Sequence, residues 1–438
     1  MANETNSILV PWHSGPKERG GYHVVWSCLA LIFTCTWTTL HLNVPGLNDT
    51  SWVRLKRKVK WMAFMIVFPE FVFARALVEL KSALDDYLEM VKHADRSERL
   101  GWCIHPSKHA IRLHLLLSAQ ELAPGQATCR EHKRCLWTLT HNLSANMGVL
   151  VTSPEPALGN DILLRTGFHW SPSNPDAEEL LEKNHFTKDE ILDKSKADTF
   201  VRVLWSLQMM RLVLDLSVRA YERYPVTPLE IMTASFTALS FITVIVQAQK
   251  PLDVRKPLYL RGVEMPRDPR QSGHQEGFMS FIRSLLPNAK PINDPERIHN
   301  DYYRSSTTNE ALLFSMLAIS TVLFGLIHLG AWHYEFPSPV EQWVWRVAVL
   351  LGVVFPLPTL ILRIHLSHEV IRIGRGFWGF QFSLGRSQSW MIKTIMGEYI
   401  ITYTLARLAL IVIALISFRS APRGIYLSTW ADFIPTIQ

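Results

Sequence analysis

The chain reads as an all-α protein, a polytopic transmembrane helical bundle of about seven membrane segments carrying a helical extramembrane insertion. Three observations predict this. Ala311 to Tyr334, ALLFSMLAISTVLFGLIHLGAWHY, runs 24 residues without Asp, Glu, Lys or Arg. At ~1.5 Å per helical residue that exceeds the ~20 residues that cross the hydrocarbon core of a bilayer. The 48% of hydrophobic residues come in blocks, separated by charged stretches such as Lys81 to Arg99 and Asp176 to Asp198. This is the pattern of spans and connections rather than of one soluble core. The net charge of +7 has the sign that Lys and Arg on cytoplasmic loops produce. No DNA- or RNA-binding motif accompanies it, so nucleic acid is excluded as a partner.

The first segment is Val24 to Val44. It is too long for the core of a cleavable signal and has no small-x-small exit, so it is expected to remain as a span. The second, Trp61 to Leu80, is interrupted by Glu70, Arg75 and Glu79; the third, Val201 to Ala220, contains Arg202, Arg211, Asp215 and Arg219. Leu229 to Ala248 is the fourth and Ala311 to Tyr334 the fifth. Trp343 to Ile364, with Pro356 and Pro358 inside it, is the sixth, and Gly397 to Phe418 the seventh. Membranes tolerate such prolines where neighbours satisfy the freed carbonyls. There is no internal repeat and no heptad run.

These segments divide the chain into residues 1–80, an insertion over 81–200, a membrane pair over 201–248, a polar loop over 249–310 and a last unit over 311–438. The insertion holds helical patterns at Ser82 to Lys92 and His109 to Glu121. The capping-box pattern Thr187-Lys188-Asp189-Glu190 is expected to open a helix that runs into the third span. The 249–310 loop, with KPLDVRKP and MPRDPRQSG, is too rich in Pro and charge to bury much surface.

Lys and Arg near span ends set topology. Arg372, Arg375, Arg386 and Lys393 mark the 365–393 loop, and the 249–310 loop is basic near its start, whereas Glu335 to Glu341 has neither. The two basic loops are therefore expected in the cytosol and the C-terminus on the far side. Seven spans then place the N-terminus in the cytosol and put Arg54 to Lys60, RLKRKVK, outside, against the rule. A second segment that lies in the interface or re-enters would return RLKRKVK to the cytosol and move the N-terminus out. The charges in that segment, costly at span depth, make this a real alternative.

Several phrases resemble one family of fungal multi-pass membrane proteins. VVWSCLALIFTCTWTTLHLNVPG is similar to that family's first span, and KWMAFMIVFPEFVFARAL to its second, including Pro69-Glu70. LWTLTHNLSANMG resembles a further segment, through Trp137, Thr138, Thr140, His141, Met147 and Gly148. VTPLEIMTASFTALSFITVIVQAQKPLDV resembles the fourth span and its exit. The most specific phrase is FGLIHLGAWHYEFPSPVEQWVWR, with YTLARLALIV and FIPTI resembling the last span and tail. Leu329 stands where a Cys is common, and Gln247-Ala248-Gln249 where two tryptophans often stand. The resemblance implies fold and membrane residence; it brings no catalytic set.

Ionisable residues at span depth are the candidate site. Glu70 follows Pro69 in an apolar setting, where a carboxyl group can serve as an acid. Arg211, Asp215 and Arg219, at i, i+4 and i+8, share a helix face and form either a polar pocket or a self-neutralising ladder. His328 lies within an otherwise uncharged span, as a base or as a packed, hydrogen-bonded residue. Glu230 suits the N-terminal dipole of the fourth span. Of five cysteines, Cys28 and Cys35 are small core residues of the first span, and an odd three remain, against a closed disulfide framework. Cys103, His105, Cys129, His132 and Cys135 have no standard zinc spacing. No Walker loop, GxGxxG, desaturase-like His set or aspartate-rich prenyltransferase motif occurs, and RGFWGFQF only faintly resembles an acyltransferase phrase. No cofactor or metal is expected. Asn48 and Asn142 stand in N-x-S/T sites, as possible glycan acceptors or by chance.

These features predict a multi-pass protein of the endoplasmic reticulum or another endomembrane that makes or modifies an apolar small molecule such as a terpenoid or polyketide. Glu70, Asp215 and His328 are its candidate catalytic residues, and lipids and the substrate its partners. A channel lined by the same charges and a non-catalytic scaffold are the alternatives.

Overall fold

The computed structural model describes residues 19–46, 49–96, 138–152, 188–195, 199–256, 258–260, 300, 307–354, 356 and 386–430. Its helices are α1 (Gly21–Thr39), α2 (Ser51–Val67), α3 (Pro69–Arg96), α4 (Leu139–Asn146), α5 (Lys188–Asp193), α6 (Thr199–Tyr221), α7 (Pro228–Val246), α8 (Thr307–His328), α9 (Pro339–Val354) and α10 (Arg386–Ile416). Two short strands, β1 (Leu150–Thr152) and β2 (Leu258–Leu260), pair in parallel.

By length and composition α7, Leu312–Ala331 and Ile400–Arg419 can each cross a membrane, and a fourth crossing is possible if α2 and α3 count as one broken span. Several hydroxyl groups in the apolar helices are satisfied within their own helix, as an apolar solvent favours. Thr36 and Thr39 in α1 donate to the carbonyls of Ile32 and Cys35, and Thr233, Thr237 and Thr243 in α7 to those of Leu229, Thr233 and Leu239. Thr227 caps α7, Glu230 completes the capping box and Pro228 occupies the first turn, where its missing N–H costs nothing.

The second expected span is not one helix. α2 and α3 meet at 108°. The cause is local: Pro69 excludes the helical conformation at the residue before it, and Phe68 sits at φ −127°, ψ 57°. α3 then runs on through Ser82 to Lys92, which is no separate helix. The helix opened near Thr187 also differs from expectation. It stops at Asp193, and α6 begins at Thr199 as a separate element. The start of the 249–310 loop is packed rather than free: Lys250, Leu252 and Val254 are buried, and β2 adds to β1. His109 to Glu121, the set Cys103, His105, Cys129, His132 and Cys135, Asn48, Pro358 and RGFWGFQF lie outside the described residues.

The main core joins α1, α7, α8, α9 and α10 through Val24, Phe236, Phe324, Trp345 and Leu410. α3 lies against α7, α8 and α4. Helix direction follows from paired contacts. Arg19, just before α1, meets Glu230 at the head of α7, and Cys35 in the last part of α1 meets Thr237 further along α7. α1 and α7 therefore run the same way. Arg19 N–H also donates to the Tyr426 carbonyl at 2.7 Å, so both described chain ends meet at one end of the bundle. At the other end Lys250 pairs with Glu79, Lys81 contacts Asn309, and Asn43 N–H donates to Asn300.

Candidate functional site

Glu70 enters the bundle because Pro69 starts a new helix at the bend. Its carboxyl is 2% exposed and lies 2.6 Å from Nη2 of Arg407 on α10. The Arg407 guanidinium rests on the Phe324 ring, 3.7 Å from its centre, and lies 5.7 Å from that of Tyr403. The Tyr403 hydroxyl faces the Glu70 carboxyl group. Phe68, at the bend, stacks on Tyr403 and fixes the break against α10.

His328 ends α8 with no solvent exposure. Its Nδ1 is 2.8 Å from the Phe324 carbonyl. A carbonyl only accepts, so Nδ1 carries the proton and, in the neutral ring, Nε2 keeps its lone pair. Nε2 is buried with no hydrogen-bond partner among the described residues. The ring stacks on Phe324 at 4.8 Å and lies 5.9 Å from Trp345. Glu70, Thr321, His328, Gly352, Tyr403 and Arg407 line a cavity of about 20 Å³, room for roughly one water molecule. Two of the three expected catalytic residues thus share one polar centre inside an apolar bundle.

Asp215 does not line that cavity. Arg19 Nη1 bridges it, at 3.0 Å, to Glu230, at 2.6 Å, while the other Glu230 oxygen takes the Thr227 N–H and hydroxyl. Glu230 therefore does more than complement a helix dipole. Arg219 is fully buried and donates to the carbonyls of Pro225, Gly424, Ile425 and Leu427, which ties the C-terminal segment to the end of α6. A third cluster joins Glu79, Lys250 and Arg75. There burial pulls the Lys250 ammonium down to about 8, against the attraction of Glu79.

Asn142 is not placed to carry a glycan. It is 4% exposed, on a helix buried along its length, and its Nδ2, the atom a glycan would occupy, donates to the Ala83 carbonyl at 3.0 Å. Among the described residues no group of three His, Cys, Asp or Glu is arranged to hold a metal ion. Arg407, Tyr403 and Arg19 were missed as site residues. Arg407 carried a signal, since a cation in the middle of YTLARLALIV needs a buried counter-charge.

No curated protein and no solved structure matches the chain. A family model matches residues 1–268 and 304–437. With that coverage, the chain belongs to the family of unknown function DUF8562.

Proposed function

We propose that the protein is a membrane enzyme that moves a proton on an apolar small molecule, an isomerase or cyclase that needs no cofactor. Its substrate class is a terpenoid or polyketide intermediate of a fungal endomembrane such as the endoplasmic reticulum. One observation carries the reading: the His328 Nε2 lone pair is buried without a partner among the described residues, beside the Glu70–Arg407 pair, in a cavity within an apolar bundle. A structural histidine normally uses both nitrogens when buried, whereas a base must keep one free. In this reading His328 takes a proton from the substrate and returns it elsewhere on the same molecule. The Glu70 carboxylate, held by Arg407, faces the positive charge that develops. Substrate entry requires α9 to part from α8, because the present cavity holds only about a water molecule.

For the membrane arrangement we propose six crossings and one re-entrant pair in place of seven crossings. Parallel α1 and α7 and the meeting of Arg19 with Tyr426 support an even count. α2 and α3 then enter from and return to the side that holds Lys250 and Asn309. The basic loops make that side cytosolic, and RLKRKVK no longer violates the charge rule. Exposed Tyr22, Tyr221, Trp343 and Trp430 fall at the Arg19 end, as an interfacial aromatic belt would.

A non-catalytic scaffold is the second reading, favoured by the small cavity and by the pairing of Glu70, Asp215 and Glu79. Metabolite profiling of a deletion strain separates the two. The enzyme reading expects a lost product that wild type restores and His328→Asn does not, at equal protein level. An unchanged profile on deletion, or full rescue by His328→Asn, overturns it.

A further inference from the structure

Helix α2 has a use that the chemistry at Glu70 does not require. From Ser51 to Val67 it has no Asp or Glu, and its first ten residues hold Arg54, Lys56, Arg57, Lys58 and Lys60. The cations divide into two sets. Arg54, Arg57 and Lys58 turn to the protein: Arg54 donates to the Asp49 carbonyl, Arg57 to the Asn43 carbonyl, and Lys58 sits 3.8 Å from the centre of the Trp37 ring. Lys56 and Lys60, one turn apart, point into solvent. The apolar side chains of the same half are exposed too. Trp52 is 62% exposed and Val59 53%, with Leu55 between them. Their i, i+3, i+7 spacing makes one stripe along the helix, and Lys56 and Lys60 border it. Lys56 also lies over the Trp52 ring, at 5.2 Å.

An apolar stripe edged by exposed lysines has no purpose in water. It is the pattern of a helix lying in a bilayer surface, apolar side among the acyl chains and ammonium groups at the headgroups. The 108° turn into α3 directs α2 across the bundle helices rather than along them. Asp49 accepts the Gly46 N–H, Asp253 lies 3.9 Å from Arg255, and neither Lys56 nor Lys60 makes an ion pair among the described residues. We infer that the Ser51–Lys60 half of α2 docks on an anionic phospholipid surface, Lys56 and Lys60 contacting headgroup phosphates or carboxylates and Trp52, Leu55 and Val59 entering the acyl region. Trp61, Met62 and Met65, buried in the protein, anchor the other half. In the six-crossing arrangement this surface is the cytosolic leaflet, which carries the anionic lipids.

The experiment uses the full chain in nanodiscs of phosphatidylcholine alone or with about one-third phosphatidylserine. Amide hydrogen exchange is followed over residues 51–60. Phosphatidylserine is expected to slow exchange there by about 30-fold, the scale of two lysines near a charged surface. High salt should weaken the effect, and K56E/K60E should remove it while α7 and α8 keep their protection. Equal exchange in the two wild-type discs overturns the inference, whatever the variant does. So does an effect that survives in K56E/K60E. Slowing by inorganic phosphate in phosphatidylcholine discs would make this a site for soluble anions and would also overturn it.

Discussion

His328 and Glu70 differ in what holds them. One nitrogen of His328 is committed to its own helix, while Glu70 depends on Arg407, 337 residues further along the chain. Removing one partner of a buried ion pair strands the other charge, at a cost of ~3–5 kcal/mol. Glu70→Gln should therefore lower the thermal midpoint of the purified protein as well as reduce product formation by ~10²-fold, the scale of losing one group that stabilises developing charge. The paired replacement Glu70→Leu with Arg407→Met removes both charges and should recover most of the melting temperature without recovering product. If the double variant regains both, the pair is structural only and Glu70 takes no part in the chemistry. Glu70 and His328 were legible in the sequence because ionisable groups are rare at span depth. Their partners were not, because nothing local in FPEF or in LIHL says which distant helix comes to meet them. The same limit explains Asp215: its spacing with Arg211 and Arg219 was visible, but its bond to Arg19 arises from packing of α1 against α6 and α7.

At the scale of elements, two glycines behave oppositely although both line the cavity. A Cβ on Gly325 of α8 would stand 2.7 Å from Val353 Cγ2 and 3.3 Å from the Gly352 carbonyl carbon, so α8 and α9 touch there backbone to backbone. Small residues permit this approach between membrane helices. A Cβ on Gly352 meets nothing within 4 Å. Gly325→Ala should then destabilise by ~1–3 kcal/mol through overpacking, while Gly352→Ala should leave the stability within about half a kcal/mol of wild type. Thermal unfolding of the two variants in one detergent checks this, and equal destabilisation would contradict the close crossing. Helices α7, α8 and α10 were legible as long apolar runs, although α10 starts at Arg386, eleven residues before the expected Gly397. The bend at Phe68 was legible only in part, since Pro69 marks a probable boundary but not the angle. The early end of α5 was not legible, because a good N-terminal cap says nothing about where a helix stops.

The whole molecule depends on one parity. Hydropathy counts apolar segments, and a segment that bends and returns scores like one that crosses, so Trp61 to Leu80 reads as a span in sequence. Glu79 is nine residues on from Glu70, ~14 Å of helix, about half a bilayer core. One of these carboxyls sits in the cavity and the other pairs with Lys250 at the end of the bundle that holds Asn309. α3 therefore suits a segment that reaches mid-depth and goes back. The charge rule had already pointed this way through RLKRKVK, the one basic cluster the seven-span reading left outside. Tags at the N-terminus, after residue 270 and at the C-terminus, probed in selectively permeabilised cells, decide between the arrangements. Six crossings expect the two terminal tags together on the far side and the internal tag alone in the cytosol. Seven crossings expect the terminal tags on opposite sides. If both terminal tags were cytosolic, the parity would stand but the basic loops would lie outside, and the cytosolic leaflet could no longer be the surface under α2.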